Sequence, residues 1–291
     1  MMIVSSGIVG AKLKDFKTMI TWRRTTNYAA SINDLNPCYL DDTRESGIVA
    51  PPMFAVAVTW PVLENINNYL ETPWINEVFN SMVHYIEHIE FQRLITPGDR
   101  LTVKGEVAAV VPHKSGTLLT IKFEVGDCEG LPVFTEYTGA LLRGIKCDGA
   151  AGAGNIPQIP HLEPVPAPVW EVEVPIEKAA PYVYDGCNNI VFAIHTSPKF
   201  ASTVGLPGII YQGTATMAQA VRELVNREAG GDPARLRVIS GRFAGMVFPG
   251  STIKVQLQNR RETDKGADLF FRVLNEQGQE AVRKGYARLA F

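Results

Sequence analysis

Two stretches of the sequence combine residues able to move protons or to hold a developing negative charge. The first is Tyr184-Asp-Gly-Cys-Asn-Asn-Ile-Val-Phe-Ala-Ile-His195-Thr-Ser-Pro, followed by Gly205-Leu-Pro-Gly-Ile-Ile-Tyr-Gln-Gly213-Thr-Ala-Thr. A histidine follows a tyrosine by eleven residues, and a Pro-Gly turn then leads to Gly213 at the mouth of a helical pattern. The second is Tyr28-Ala-Ala-Ser-Ile-Asn-Asp34-Leu-Asn36-Pro-Cys-Tyr39, followed by Gly47-Ile-Val-Ala-Pro-Pro-Met-Phe54. A histidine beside a carboxylate can be tuned for general acid/base work near neutral pH. A helix N-terminus offers unpaired N–H donors and a partial positive charge, which suits an enolate oxygen. More ordinary roles compete. Asp34-Leu-Asn36-Pro also fits a helix cap or Asx turn, and His195 fits a loop histidine with satisfied hydrogen bonds.

The elements that would position these residues follow from periodicity. Phe54, Val58, Val62, Ile66, Tyr69 and Leu70 recur at helical spacing, so 54–70 is expected to be an amphipathic helix, kinked or split at Pro61. From Ser81 the period becomes two, and strands are expected over 83–91, 101–110, 116–125 and 132–142. Residues 147–168 pass from a Gly/Ala run to a Pro-rich run and read as a linker, flexible first and then extended. The pattern then restarts with a strand over 170–174, a helix from Gly213 to about Arg227, and strands over 236–247, 252–259, 268–274 and 280–289. Phe91, Pro97, Gly98, Leu101 and Val103 match Phe243, Pro249, Gly250, Ile253 and Val255 at one constant offset. Tyr28 and Tyr39 match Tyr184 and His195 at another close to it. The chain therefore reads as a duplicated module, 1–146 and 169–291, joined by the linker. Each copy is one helix wrapped by long antiparallel strands, an α+β class.

Composition narrows the function classes. With 46% hydrophobic and 20% charged residues, the 291-residue chain can bury a sizeable core. A net charge of −2 with no basic run leaves no footprint for nucleic acid. No stretch approaches the roughly 20 apolar residues of a membrane helix, and residues 1–15 lack a leader pattern, so a cytoplasmic location free of membrane is expected. Cys38, Cys128, Cys147 and Cys187 have no metal-ligand spacing and read as reduced thiols.

A Tyr, then Asp-x-Asn-Pro-x-His, then a Pro-rich turn into a small-residue helix resembles the signature of the MaoC-like dehydratases and (R)-specific enoyl-CoA hydratases. Phe-x-x-x-[Val/Ile]-x-Pro-Gly-[Asp/Ser] resembles their strand–turn–strand. Ala50-Pro-Pro-Met-Phe54 resembles the N-terminal half of their two-module members, of the FAS1-like dehydratase type. The resemblance implies a double hotdog fold and the reversible hydration of a trans-2-enoyl thioester. An Asp and a His would share the water, an Asn would fix their geometry, and a helix N–H would polarise the thioester carbonyl. No metal or redox cofactor is implied; the partner is an acyl-CoA substrate, in a setting of fatty acid metabolism. A homodimer, or a hetero-oligomer with another MaoC-like chain, is an accompanying expectation.

Neither copy matches in full. The first keeps Asp34, Asn36 and Pro37 but has Tyr39 in place of the histidine. The second keeps His195 and Gly213, with Gln212 ahead of the glycine, but has Ile190, Phe192 and Ala193 at the Asp, Asn and Pro positions. The candidates are thus His195, Asp34 and Asn36 as catalytic residues and Gln212, Gly213 and Tyr39 as substrate-binding ones. Asp185 and Glu223 are weaker candidates for a carboxylate beside His195, and a composite Asp34–His195 site is a further option, disfavoured because the two motifs belong to different pockets. A degenerate acyl-CoA-binding subunit, or a purely structural hotdog module, is the competing reading. His84 and His88, four apart on an expected strand, share a face there and read as half-exposed sheet residues rather than a metal pair. His113 and His161 fall in expected loops. Arg235, Arg237, Arg242, Arg260 and Arg261 could meet CoA phosphates but read as surface.

Overall fold

The computed structural model describes residues 3–71, 82–160, 162 and 167–291. Ten strands carry the architecture: β1 (Phe16–Met19), β2 (Met82–Phe91), β3 (Arg100–His113), β4 (Gly116–Gly126), β5 (Pro132–Arg143), β6 (Trp170–Pro175), β7 (Leu236–Phe243), β8 (Thr252–Thr263), β9 (Gly266–Leu274) and β10 (Glu280–Ala290). They form one antiparallel sheet in the order β1-β3-β4-β5-β2-β7-β10-β9-β8-β6. Each half of that order mirrors the other, as a duplicated module requires. The halves join where β2 pairs β7 antiparallel, from Ile86 opposite Arg242 to Glu90 opposite Val238. A central helix lies against each half, α2 (Phe54–Glu64) in the first and α4 (Gly213–Glu228) in the second. This is the expected double hotdog, with its two sheets fused into one.

The duplication is written into the backbone as well. The helices α1 (Trp22–Ser31) and α3 (Ala180–Asn188) carry Tyr28 and Tyr184, and five residues past each tyrosine an asparagine adopts φ of 53°. Such a left-handed residue ends a helix, and asparagine tolerates it better than most side chains. The two tyrosines meet at the module boundary, hydroxyl to hydroxyl at 3.1 Å, and Tyr184 donates onward to Thr214 Oγ1 at 3.2 Å. Tyr28 must therefore be the donor to Tyr184. A buried hydrogen-bonded chain thus ties α1, α3 and α4 together inside an otherwise apolar core.

Helix α2 departs from the expected amphipathic helix. Phe54 to Thr59 are all buried, so the segment is apolar on every side, and it ends at Glu64 before a separate turn over Ile66–Tyr69. Pro61 does not break it. The carbonyl that Pro61 leaves without an N–H is that of Ala57, and the half-buried Arg24 guanidinium donates to it at 3.3 Å. The strands match expectation within a few residues, except that β7 stops at Phe243 and His113 ends β3 rather than sitting in a loop. The linker's first half is laid down rather than loose. Lys146–Cys147 pairs with Ile3–Val4, and the Asp148 carboxylate accepts from Ser5 Oγ and the Ser6 N–H. His161 lies outside the described residues. No described helix is long and apolar enough to cross a membrane.

Gly116 and Gly266 open the equivalent hairpin strands β4 and β9 with φ of 149° and 148°. A Cβ on Gly266 would lie 1.8 Å from the Leu289 carbonyl oxygen, whereas one on Gly278, at φ 74°, meets nothing within 4 Å. Gly266→Ala is expected to cost about 3 kcal/mol or more and Gly278→Ala about 1–2 kcal/mol, read as denaturant midpoints at equal m-value. Equal costs would show that the close carbonyl is relieved by local movement.

Candidate active site

One cavity of about 620 Å³ opens between the two modules. That lies within the range of small-molecule sites, roughly 300–1,000 Å³. Its wall from the first module includes Trp60, Leu63, Ile66, Ile121 and Ala140. The second module supplies Ile190 to Phe192, Ile194, His195, Ile210 to Thr214 and Phe243 to Val247. Most of this lining is hydrocarbon, and a few polar groups converge on it.

His195 sits at the end of a short 3₁₀ turn, Ala193–His195, and its Nδ1 lies 2.8 Å from the Ile210 carbonyl oxygen. A carbonyl can only accept, so Nδ1 bears the proton and the Nε2 lone pair is left free. Burial, the dominant influence, lowers the imidazole pKa from 6.5 to about 4, and the Ile210 bond only partly opposes this. The helix α4 begins at Gly213 with no side chain capping it, so its first N–H groups are available to a ligand. Gly213 is needed for packing too, because a Cβ there would stand 3.0 Å from the Phe243 ring. Gln212 is buried and ties its amide to the Pro181 carbonyl at 2.9 Å, leaving its own side-chain oxygen without a partner among the described residues.

The first-copy candidates do not join this cavity. Asp34 and Tyr39 border a separate void of about 10 Å³, roofed by Pro51, Pro52 and Met53. That is room for about one water at most. Asp34 accepts from the Asn36 N–H at 3.2 Å, the Asx turn that competed with the catalytic reading. Burial raises its pKa, with the Asn36 bond opposing. Asn36 caps the short helix Pro37–Leu40 through the Cys38 N–H and donates to the Gly231 carbonyl at 2.7 Å. Tyr39 is wholly buried, its hydroxyl without a partner among the described residues. So the structure brings His195, Gln212 and Gly213 together and keeps Asp34, Asn36 and Tyr39 apart from them; no composite Asp34–His195 site forms. Of the weaker carboxylates, Glu223 is held by Arg222 and Arg227, and neither it nor Asp185 lines the cavity. The five arginines also stay off its wall: Arg260 pairs with Glu228 and Glu262, and Arg261 covers the Phe270 ring.

The sequence reading missed His84. A bulge between His84 and Ile86 adds one residue to β2, so His84 and His88 fall on opposite faces instead of sharing one. His88 is turned to the outer face, toward Glu90 and Tyr137. His84 turns inward with Glu87, lines the cavity, and stands edge-on to Phe243 at 4.7 Å between ring centroids. Its Nε2 is 3.1 Å from Thr138 Oγ1, from the Ile86 carbonyl oxygen and from Glu87 Oε2. Glu136, diagonal to Glu87 on β5, completes the group; both carboxyls are fully buried. Burial without a cation raises both well above the usual carboxylate range. The signal available in the sequence was Glu136 itself, at an inward position of the Phe134–Glu136–Thr138–Ala140 face.

Comparison with known proteins agrees with this architecture. Residues 7–136 match the model of the FAS1-like dehydratase domain region, and residues 167–278 match that of the MaoC-like domain. The chain is 23% identical over 297 residues to peroxisomal multifunctional enzyme type 2 of Mus musculus, spanning 97% of this chain but 38% of that enzyme. It is 26% identical over 225 residues to the peroxisomal enoyl-CoA hydratase 2 of Arabidopsis thaliana, spanning 71% of this chain and 68% of that protein. Among solved structures, a MaoC-like dehydratase from Phytophthora capsici superposes with a TM-score of 0.85 at 23% identity, over 97% of this chain and 96% of the other. A Mycobacterium tuberculosis protein described as a double hotdog fold superposes at 0.60 with 15% identity, over 97% and 96%. Both named relatives are peroxisomal by name, so the cytoplasmic expectation does not carry over from them. A FAS1-like dehydratase region followed by a MaoC-like domain, folded as a double hotdog, makes this chain a two-module member of the MaoC-like dehydratase family.

Proposed function

We propose that the chain is an acyl-thioester hydratase/dehydratase, with His195 as acid/base and the mouth of α4 at Gly213 as the oxyanion donor. The observation that carries this reading is one apolar cavity holding both a histidine with a free Nε2 and an uncapped helix N-terminus. A thioester carbonyl seated at Gly213 leaves its acyl chain to the Leu63, Ile121 and Ile190 wall. His195 Nε2 then takes a proton from water as the oxygen bonds to C3. The π pair of the C2=C3 bond shifts toward C2 and the carbonyl, whose oxygen accepts from the helix N–H groups. Protonation at C2 completes addition of water, and the reverse sequence is dehydration. The trans-2-enoyl-CoA substrate class comes from the enoyl-CoA hydratase relative, and the apolar lining is in keeping with it.

A specific observation favours the second reading, a binding subunit with little turnover. Ile190 forms part of the cavity wall at the position where the family pattern places a carboxylate. Hydration of crotonyl-CoA and longer trans-2-enoyl-CoAs, followed by loss of enoyl absorbance, separates the two. His195→Ala is expected to lower kcat about 100-fold or more at unchanged CoA-ester affinity; a variant as fast as the parent removes His195 from the mechanism. CoA-ester binding without turnover would establish the binding-subunit reading instead. Ile190→Asp is expected to raise the His195 pKa and, with it, the hydration rate; a lower rate from a variant that still folds would show that the apolar wall matters more than the missing carboxylate.

The low pKa of His195 has a stability consequence. Its folded value of about 4 lies below the ordinary 6.5, so the stability linked to the neutral ring is intact above about pH 6.5 and is lost as pH falls toward 4. The difference in Tm between the parent and His195→Gln is therefore expected to shift against the parent over that interval. A difference constant from pH 7 to 4 would mean that the ring titrates like a free histidine.

A further inference from the structure

The cavity continues past the helix mouth. The Phe243 ring lies 3.0 Å from where a Gly213 Cβ would be, and the same ring meets His84 at 4.7 Å between centroids. His84 thus stands a ring's width from the thioester site, on the wall contributed by the first module. Leu119, Ile121 and Ala140 on that wall are hydrocarbon. An acyl chain whose carbonyl rests at Gly213 and whose tail follows this wall passes Phe243 before it reaches His84. The polar side chains at the mouth itself are each tied to the protein: Gln212 donates to the Pro181 carbonyl, Thr214 accepts from Tyr184, and Thr216 donates to the Gln212 carbonyl.

His84 is held in place with one nitrogen left over. Its Nε2 sits against the Ile86 carbonyl, Thr138 Oγ1 and Glu87 Oε2. Burial lowers its pKa to about 4, so the ring is neutral near pH 7. A carbonyl can only accept, so Nε2 carries the ring's one proton and Nδ1 keeps a lone pair. Nδ1 has no partner among the described residues, and unlike Nδ1 of His88 it is not sealed off by burial. The side chain keeps 24% exposure and lines the cavity. The contacts at Nε2 and the edge-on Phe243 ring fix the imidazole plane, so this acceptor is oriented before any ligand arrives. A plain alkyl chain laid against it displaces its water and offers no donor in return, which weakens binding.

We infer that His84 is a specificity residue of this cavity, and that the acyl chain it selects carries a hydroxyl several carbons beyond C3, donated to Nδ1. The inference rests on the hydratase reading and names the substrate within it. A hydroxyl fits because Nδ1 can only accept, whereas a ketone oxygen at the same place has no proton to give. A carboxylate fits worse still, since it would face a lone pair with the buried Glu87 and Glu136 carboxyls behind it. No bond is made or broken at His84, and the chemistry stays with His195 and the Gly213 helix mouth.

The test uses the full chain and a set of octenoyl esters: trans-2-octenoyl-CoA, the same ester with one hydroxyl at C5, C6, C7 or C8, and the matching oxo compounds. Hydration is followed by loss of enoyl absorbance, and binding by calorimetric titration of the saturated octanoyl-CoA counterparts. At one hydroxyl position the parent is expected to bind more tightly and to reach a kcat/KM about tenfold above that of the plain chain, with the oxo compound no better than the plain chain. His84→Leu is expected to bring that ratio to one or below, through KM rather than kcat, and His84→Gln, which keeps an acceptor, to retain part of it. The comparison among substrates in the parent needs no variant, so it decides the matter if either variant fails to fold. A parent that treats plain and hydroxylated chains alike at every position, or a preference that survives His84→Leu, overturns the inference and leaves the hydratase reading intact. An oxo compound favoured as strongly as the hydroxyl overturns it as well. Tighter binding of a hydroxylated ester, lost in His84→Leu, without turnover of any enoyl ester sustains the His84 subsite and removes the hydratase reading. A parent that neither binds nor hydrates any of the esters overturns both.

Discussion

The antiparallel pairing of β2 with β7 is the constraint on which the rest of this protein depends. Five residue pairs, Ile86–Arg242 through Glu90–Val238, fuse two sheets that would otherwise each present an open edge. Because β2 and β7 are the edge strands by which the two modules face each other, that seam brings α2 and α4 under one continuous sheet and puts one cavity across both. The bulge in β2 sits where the pairing begins, and it alone decides that His84 faces inward beside Glu87. A histidine of the first module on the cavity wall follows from that single extra residue.

The two copies have diverged in what they do with the same frame. In the second, α4 starts with small residues, Gly213 to Thr216, and its mouth stays open to the cavity. In the first, Met53 and Phe54 occupy the corresponding place, Phe54 packs edge-on against Tyr28, and only a void of about 10 Å³ remains. Asp34 and Asn36 then serve the chain locally, as an Asx turn and a helix cap that also tethers Gly231 of the other module. With the first pocket filled, Phe54 to Thr59 of α2 are buried on every side, and Trp60 and Leu63 further along the helix line the open cavity.

Energetically the cavity is an unusual place for acids and bases. Burial lowers the pKa of both His84 and His195 to about 4, and the same cause pushes Glu87 and Glu136 well above the usual carboxylate range. Groups of opposite type are thus driven toward the same uncharged state. Retaining two buried carboxylic acids in a core costs stability relative to apolar residues of similar size.

Periodicity carried most of the fold. Alternation in the strands and helical spacing around Gly213 were legible because they depend on residues near each other in the chain, the duplication because one half of the sequence can be laid on the other at a constant offset, and the resemblance supplied the hotdog arrangement. The frame of His195 and Gly213 was legible for the same reason, being a local motif. Face assignment across β2 was not. Side chains alternate strictly only in a regular strand, and one bulged residue inverts every later inference, so His84 and His88 were read onto one face. Nor does sequence spacing say that Asp34 would cap its own turn rather than reach His195, because that depends on which helix mouth stays open. The sequence by itself determined the duplicated module, its strands and the one copy of the motif that keeps its histidine. Only the tertiary structure decided which copy holds the cavity and which side chains of the other copy line it, since both follow from a strand pairing between residues about 150 positions apart.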